Sequence, residues 1–376
     1  MKWISFLYSF WVANIAGIIF CASLASADAP PSYDQPMPFA WAHQIPTGEQ
    51  PGWGDTWWFN YSLSDSNIWN EPTTMTDKRN GDTYYYMADY EQTTLNLEVG
   101  HAFWDRLGVS IDLPIADRWG GVLDHFINAF HILGYGESLY NRADYPQWQT
   151  IYSVKKNNVD YFASQKPVQG LDNINLKFKL WMFKWMGDVP NSCPCGLSIS
   201  SETKFPLNSG ATGGTTGSID QSVSVHLGIP LFSASAFWAT ASYTALGRNP
   251  AIDGWPQFNH IVMYEGNFDF ALNDYWGFVI SARAESPYLD RSALSFVDNS
   301  TNPAVVANDQ QSSGWNALTH WLGSESFGFR YRTIAGSEFR AMFVEDFGLG
   351  YNDQSSGLYT NNAPDVNIVI QGNFTF

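Results

Sequence analysis

Charged side chains are scarce in this 376-residue chain: Asp, Glu, Lys and Arg together make up 15%, against about 25% in typical soluble domains. Basic residues are the scarcer kind, 19 against 36 acidic ones, giving a formal charge of −17. That balance excludes a nucleic-acid partner, which calls for a basic surface. Cysteine is nearly absent. Cys21 lies in the N-terminal apolar stretch, and Cys193 and Cys195 stand together in "NSCPCG". No second pair exists to complete a zinc site, so no metal is expected. The C-P-C turn leaves open a Cys193–Cys195 disulfide or a plain thiol pair. After the first 27 residues the chain also lacks any apolar run of the roughly 18 residues a spanning helix needs.

Aromatic residues, by contrast, are abundant at 16%, and there are 31 glycines. Many aromatics, few charges and no hydrophobic helix fit a β-barrel whose outer face meets lipid. The N-terminus agrees with export. "MKWISFLYSFWVANIAGIIFCASLASA" carries Lys2, an apolar stretch and an Ala25-Ser26-Ala27 exit, which reads as a cleaved signal peptide over 1–27. A Pro-rich segment, 28–54, follows with six prolines; it reads either as a plug in the barrel or as a periplasmic tail. The barrel itself is assigned to 55–376.

Period-two alternation marks twelve strands (range 10–14), near 56–66, 84–103, 107–116, 172–186, 195–206, 221–231, 233–246, 258–271, 274–286, 319–333, 337–348 and 365–376. The connections between them alternate short and long. The long ones are 67–83, 117–171, 207–220, 247–257, 287–318 and 349–364. Tight turns at one end and extended loops at the other predict a closed antiparallel transmembrane barrel of the outer-membrane kind, both termini periplasmic. The chain ends "NIVIQGNFTF", alternating to its last residue. Phe374 and Phe376 resemble the C-terminal assembly signal of such barrels, so the barrel assembly machinery is an expected partner, with outer-membrane lipid and lipopolysaccharide. Trp57, Trp58, Trp181, Trp185 and Trp276 are candidates for an interfacial girdle.

One stretch breaks the β pattern. In "GGVLDHFINAFHILGYG", Leu123, Phe126, Ile127, Phe130 and Leu133 recur at helical spacing, predicting a short amphipathic helix in the loop after strand 3. Asp124, Asn128 and His131 form its polar stripe, either a polar triad at a mouth or a hydrated surface. The run from Gly81 to His131, "GDTYYYMADYEQTTLNLEVGHAFWDRLGVSIDLPIADRWGGVLDHFINAFH", resembles an uncharacterised family of Gram-negative outer-membrane proteins, domain of unknown function 3187. The shared features are a D-R turn (Asp105-Arg106), a strand ending in Leu113-Pro114, and G-G-x-L-D-x-F-I-x-x-F-H at 120–131. The resemblance implies a barrel in the outer membrane and no particular reaction.

With apolar residues facing lipid, the inward positions include Glu98, Asp112, Lys177, Lys179, Glu202, Lys204, Glu265, Asp269, Arg283, Glu285, Arg330, Arg332 and Arg340. Both signs occur on neighbouring strands, which predicts a narrow, partly self-paired lumen. None of the seven histidines sits in an H-E-x-x-H or nucleophile motif, so no enzyme and no cofactor is expected. A narrow channel or substrate-specific transporter for a small molecule or lipid leads. A structural or envelope-assembly barrel and a barrel enzyme acting on lipid or peptide are the alternatives.

Overall fold

The structure, a computed structural model, describes residues 43, 46, 56–104, 106–123, 148, 150–164, 168–184, 195–207, 215–231, 235–247, 258–297, 318–334, 337–345, 358–359 and 366–376. They form seventeen strands: β1 (Trp57–Asp77), β2 (Thr83–Phe103), β3 (Leu107–Trp119), β4 (Ile151–Lys156), β5 (Val159–Ser164), β6 (Val168–Leu171), β7 (Asn173–Lys184), β8 (Gly196–Pro206), β9 (Asp220–Pro230), β10 (Ala236–Ala245), β11 (Ile261–Ala271), β12 (Trp276–Glu285), β13 (Leu294–Val297), β14 (Trp321–Arg332), β15 (Glu338–Glu345), β16 (Leu358–Tyr359) and β17 (Val366–Thr375).

Twelve of these build one closed antiparallel wall, in the order β1, β2, β3, β7, β8, β9, β10, β11, β12, β14, β15, β17. Closure follows from the last pairing, in which β17 returns to β1 from Trp58↔Thr375 to Asn67↔Val366. No sheet edge is left to meet lipid. The distribution of side chains is inside-out relative to a water-soluble protein. Val99, Ile111, Phe178, Val223 and Phe329 are exposed, whereas the alternate positions Asp112, Asn175, Ser200, Ser224 and Arg330 are buried. An exposed apolar band around a polar interior is the pattern of a transmembrane barrel.

The strand ends on either side of the short connections share one end of the barrel with Trp57 and Phe376. This "turn end" carries a belt of exposed aromatics: Trp57, Phe103, Trp104, Phe183, Tyr275, Trp276 and Tyr331. Two girdle candidates point the other way. Trp58 and Trp181 are buried, on the lumen side of their strands. Trp58 has room there because Gly100 and Gly108 lie beneath its ring, where a Cβ would collide or crowd. Trp185 lies outside the described residues.

The opposite, "loop end" departs from the expected open loops. Residues 67–83 are not a loop: β1 and β2 continue as a hairpin well past the barrel, interrupted only by a register shift between Asn70 and Thr73, around Pro72. A proline cannot donate to the ladder, so it is accommodated at a bulge. The long 117–171 connection holds β4, β5 and β6; 287–318 holds β13; and β16, in 349–364, pairs in parallel with β14. Around the extended hairpin, β4 and β5 add to the β2 side and β13 to the β1 side.

The inner face of this extension inverts the barrel's chemistry. Ile68, Met75, Tyr84, Tyr86, Ala88 and Tyr90 are fully buried with Tyr152, Val154 and Leu294. They pack against Ile261, Met263, Tyr288, Leu289, Leu318 and Leu322 from β11, β14 and the loops flanking β12 and β14. Since β11 and β12 stand across the barrel from β1 and β2, the hairpin folds over the mouth as an apolar dome. Of the predicted loop helix, Leu123 is helical and the rest, with Asp124, Asn128 and His131, lies outside the described residues. Val122 and Leu123 are held from β2, where Glu91 Oε2 accepts their backbone N–H groups (2.7 and 2.8 Å).

Candidate functional site

The lumen concentrates the polar chemistry of the chain. All thirteen inward positions read from the alternation lie on the interior face; Glu98 and Lys177 are half-buried and the other eleven are buried. The structure sorts them into two walls and adds partners that alternation did not single out.

On the first wall, β2, β3, β7 and β8 bring Glu98, Asp112, Lys177, Lys179 and Glu202 together. Glu98 accepts hydrogen bonds from Ser110 Oγ (2.6 Å) and Asn60 Nδ2 (3.0 Å). Lys177 Nζ stands 3.8 Å from Asp112 Oδ2 and 3.8 Å from Glu202 Oε2, bridging the two carboxylates. Lys179 lies over the Trp181 ring at 5.6 Å, so the misassigned tryptophan serves as a cation–π partner inside the barrel. Nearer the loop end, Lys204 pairs with Asp220 (2.5 Å) and donates to Thr216 Oγ1 (2.6 Å).

On the second wall, β11, β12, β14 and β15 hold the arginines. Arg283 pairs with Glu285 (2.7 Å) and approaches Glu265 (3.9 Å). Toward the turn end, Arg330 contacts Asp269 (3.1 Å), Arg340 contacts Glu338 (2.5 Å) and Asp269 (3.7 Å), and Arg332 contacts Glu338 (3.7 Å). Buried charges are tolerated only when opposed in this way. Asp220 and Glu338 are the carboxylates that sequence reasoning missed. Both are the first residue of their strand; Asp220 lies just outside the predicted strand 221–231, whereas Glu338 shares the parity of Arg340 and could have been read from it.

Between the walls, His226 is buried and takes part in hydrogen bonds with Ser200 Oγ (2.8 Å) and Thr240 Oγ1 (3.0 Å). This serine–histidine contact has no carboxylate on the second ring nitrogen and lies in the enclosed interior. Ser281 and Ser326 also hydrogen-bond across the lumen face. A small apolar patch of Met342, Val344 and Val369 interrupts the polar lining. Val369 is the single apolar residue on the otherwise polar face of the last strand.

One more residue enters the lumen. His43 is fully buried, and its Nδ1 lies 2.9 Å from Asp220 Oδ2. Its ring packs edge-on against Phe258 at 5.7 Å, and Phe258 in turn meets Tyr288 of the dome core. Pro46 is buried too. Cys195 is disulfide-bonded and packs with Ala236 and Trp238 at the turn end; Cys193 lies outside the described residues.

At the seam, Phe374 is buried on the outer face beneath Phe59, Tyr61 and Phe339. Tyr61 rests on Gly372, where any Cβ would strike its ring. Phe376 is exposed, and its backbone N–H and C=O both bond to Trp57.

A family model described as "Protein of unknown function (DUF3187)" matches residues 59–301. No curated protein matches in sequence. Among solved structures, an outer-membrane channel from Pseudomonas putida F1 aligns at 8% identity and TM-score 0.48, covering 88% of this chain and 100% of that one. The NanC porin aligns at 8% and 0.37, covering 85% and 98%. Outer membrane phospholipase A from Escherichia coli aligns at 10% and 0.33, covering 86% and 96%. At this level of similarity no activity passes from those proteins to this one.

Proposed function

Because this chain belongs to the DUF3187 family, proteins of unknown function with no activity to hand on, we propose its role from geometry: a narrow outer-membrane conduit for small polar solutes, closed at rest. The observation that carries this reading is the change of chemistry along the axis. From turn end to loop end the wall presents buried ionic and hydroxyl groups, and only at the mouth does it meet an apolar dome. A barrel that served only as scaffold has no need to keep an axial polar track beneath a separate seal. Such a track lined with both signs is a filter that exchanges its internal pairs for a passing solute's groups. Location follows from the same features, since closed barrels with exposed apolar bands are proteins of the outer membrane. In that setting lipid and lipopolysaccharide cover the band, the assembly machinery inserts the chain, and the turn end faces the periplasm.

The second reading, a structural or envelope-assembly barrel, is favoured by one observation: the lumen charges are paired with one another. An enzyme acting on lipid or peptide is the third. The Ser200–His226 contact is its best support, and enclosure within the lumen speaks for a structural hydrogen bond instead.

Solute flux into proteoliposomes tests the first against the second. The side chain of Lys78 tethers the dome at its tip, Nζ donating to Ser292 O (3.1 Å). Asn157, in the β4–β5 turn, accepts from Thr83 N (2.8 Å) through Oδ1. A Lys78→Ala, Asn157→Ala variant should admit small charged solutes faster than wild type. Equal impermeability of both proteins would favour the structural reading.

A further inference from the structure

On its lipid-facing side the wall is hollowed across β9, β10, β11, β12 and β14. Leu227, Ala239, Gly266, Ala282 and Glu325 stand opposite one another on these neighbouring strands. The adjoining row toward the turn end is bulky, with Phe237, Phe268, Ile280 and Phe327 in register. Toward the loop end, Tyr264 stacks on Trp321 at 6.2 Å. Between these rims the small side chains leave a depression of about 570 Å³. Its length is about 19 Å, four strand spacings of ~4.8 Å, and the tilt of the strands sets it obliquely in the wall.

No described residue fills this room. Elsewhere in the wall strand glycines make way for a neighbour: Gly100 lies beneath Trp58, Gly228 beneath Trp238 and Gly372 beneath Tyr61. At Gly266 a Cβ would meet only Phe237, at 3.8 Å, which is ordinary contact. The fold itself therefore has no need of glycine there, and a glycine inside a strand marks a close approach to the backbone. Glu325 closes one end of the hollow. It is half-buried on the outer face, and among the described residues no group pairs with its carboxyl. Its ladder neighbours, Ala282 and Glu345, supply no positive charge. Six residues along β14 separate it from Tyr331 of the turn-end belt, a height of about 15 Å at ~3.3 Å per residue and a tilt near 40°. It thus lies in the loop-end half of an apolar band about 25 Å tall, beside the exposed rings of Tyr243 and Tyr264. A carboxyl that faces lipid calls for a partner.

We propose that this groove seats one acyl chain of a lipid A molecule from the leaflet at the loop end. An amide or hydroxyl group near the head of the chain donates to Glu325, and the tail descends over Gly266 toward Leu227, three residues from the turn end of β9. Continuity and charge select this occupant. Lipid covers the apolar band around the groove, and the groove exceeds the ~15 Å depth of one leaflet's hydrocarbon, enough for a whole chain lying obliquely. An ionised carboxyl accepts hydrogen bonds and donates none, so Glu325 requires a chain that carries a donor. Lipid A chains have amide N–H and hydroxyl groups close to their heads; the ester-linked chains of glycerophospholipids have neither. A second copy of this chain docked symmetrically would bring a like charge instead. The choice of lipid A rests on the outer-membrane reading, whereas the groove, lying outside the wall, does not depend on whether the lumen conducts.

Native mass spectrometry of the full-length protein, purified in detergent and titrated with lipid A or with dioleoyl-phosphatidylglycerol, tests the site. One lipid A should be retained per barrel, in preference to the phosphatidylglycerol. Glu325→Leu should weaken that retention about tenfold, the scale of one hydrogen bond to a charged group. Gly266→Leu, which fills the hollow without touching the carboxyl, should weaken it as well. Heat-modifiable mobility identifies the variants that have folded, and either one suffices for the test. Lipid A held equally by the wild type and a folded variant, equal retention of the two lipids, or a dimer dispersed by Glu325→Leu would overturn the proposal. Sedimentation of the native protein with the inner membrane would overturn the choice of lipid A through the outer-membrane reading, even with binding in the groove intact.

Discussion

Lys177 shows what a single residue does in this interior. It stands between Asp112 and Glu202 at 3.8 Å from each, so removing it leaves two carboxylates facing one another in a poorly hydrated space. Lys177→Met should destabilise the barrel by about 3 kcal/mol, the usual cost of orphaning a buried charge, read as a lower urea midpoint. Adding Glu202→Gln should recover part of the loss. At the other extreme, Phe376 is exposed and yet closes the seam through two backbone bonds to Trp57. Deleting Phe376 should therefore reduce assembled, heat-modifiable barrel more than Asn373→Ala does; equal levels would show that the C-terminal aromatic is dispensable. Residue by residue, the lumen was legible because a strand's parity is strict: once Lys177 faces inward, so does Lys179. Trp58 and Trp181 were not legible as lumen residues. A tryptophan suits either a lipid interface or a packed interior, and Gly100 and Gly108, which open the slot for Trp58, are distant in sequence. His43 carried no pattern at all, since it stands in a Pro-rich stretch with neither period two nor period 3.6.

Among the elements, the β1–β2 extension was the part that sequence obscured. Its alternation continues past residue 67, but the apolar residues there face inward while those of the barrel face outward. Pro72 interrupts the phase between them, so the stretch reads as a loop. The β4–β5 hairpin turns through Asn157 and Asn158, both at positive φ, and grips the tip of the extension. Lys156 pairs with Asp82 at 2.7 Å and Asn157 Nδ2 donates to its other oxygen at 2.9 Å. These partners, Lys156 first, hold the Asp82 carboxyl below its ordinary 3.8. A lowered folded value means the grip is complete above about pH 3.8 and is lost as pH falls through the lowered value. Amide protection over 151–164, taken relative to intrinsic exchange rates, should thus be high and level at neutral pH and fall in strong acid. Asp82→Asn should abolish that acid step and raise exchange at pH 7; an unchanged acid step would place the sensitivity elsewhere.

For the whole molecule, barrel closure, strand number and the asymmetry of turns and loops were all carried by the sequence, because each repeats along the chain. What caps the loop end was not, because it depends on contacts across the barrel, where Tyr84 and Tyr86 join Met263 and Leu322 in one buried cluster. The resulting molecule is a lipid-facing cylinder with a paired polar interior, sealed at one mouth by an apolar dome. Single-channel recording of the purified full-length protein in a planar bilayer tests this account most directly. The predicted record is a closed baseline broken by brief, small openings, which become frequent when the Lys78 and Asn157 tethers are replaced by alanine. A large, steady conductance in the wild-type protein, unchanged by loss of those tethers, would contradict it.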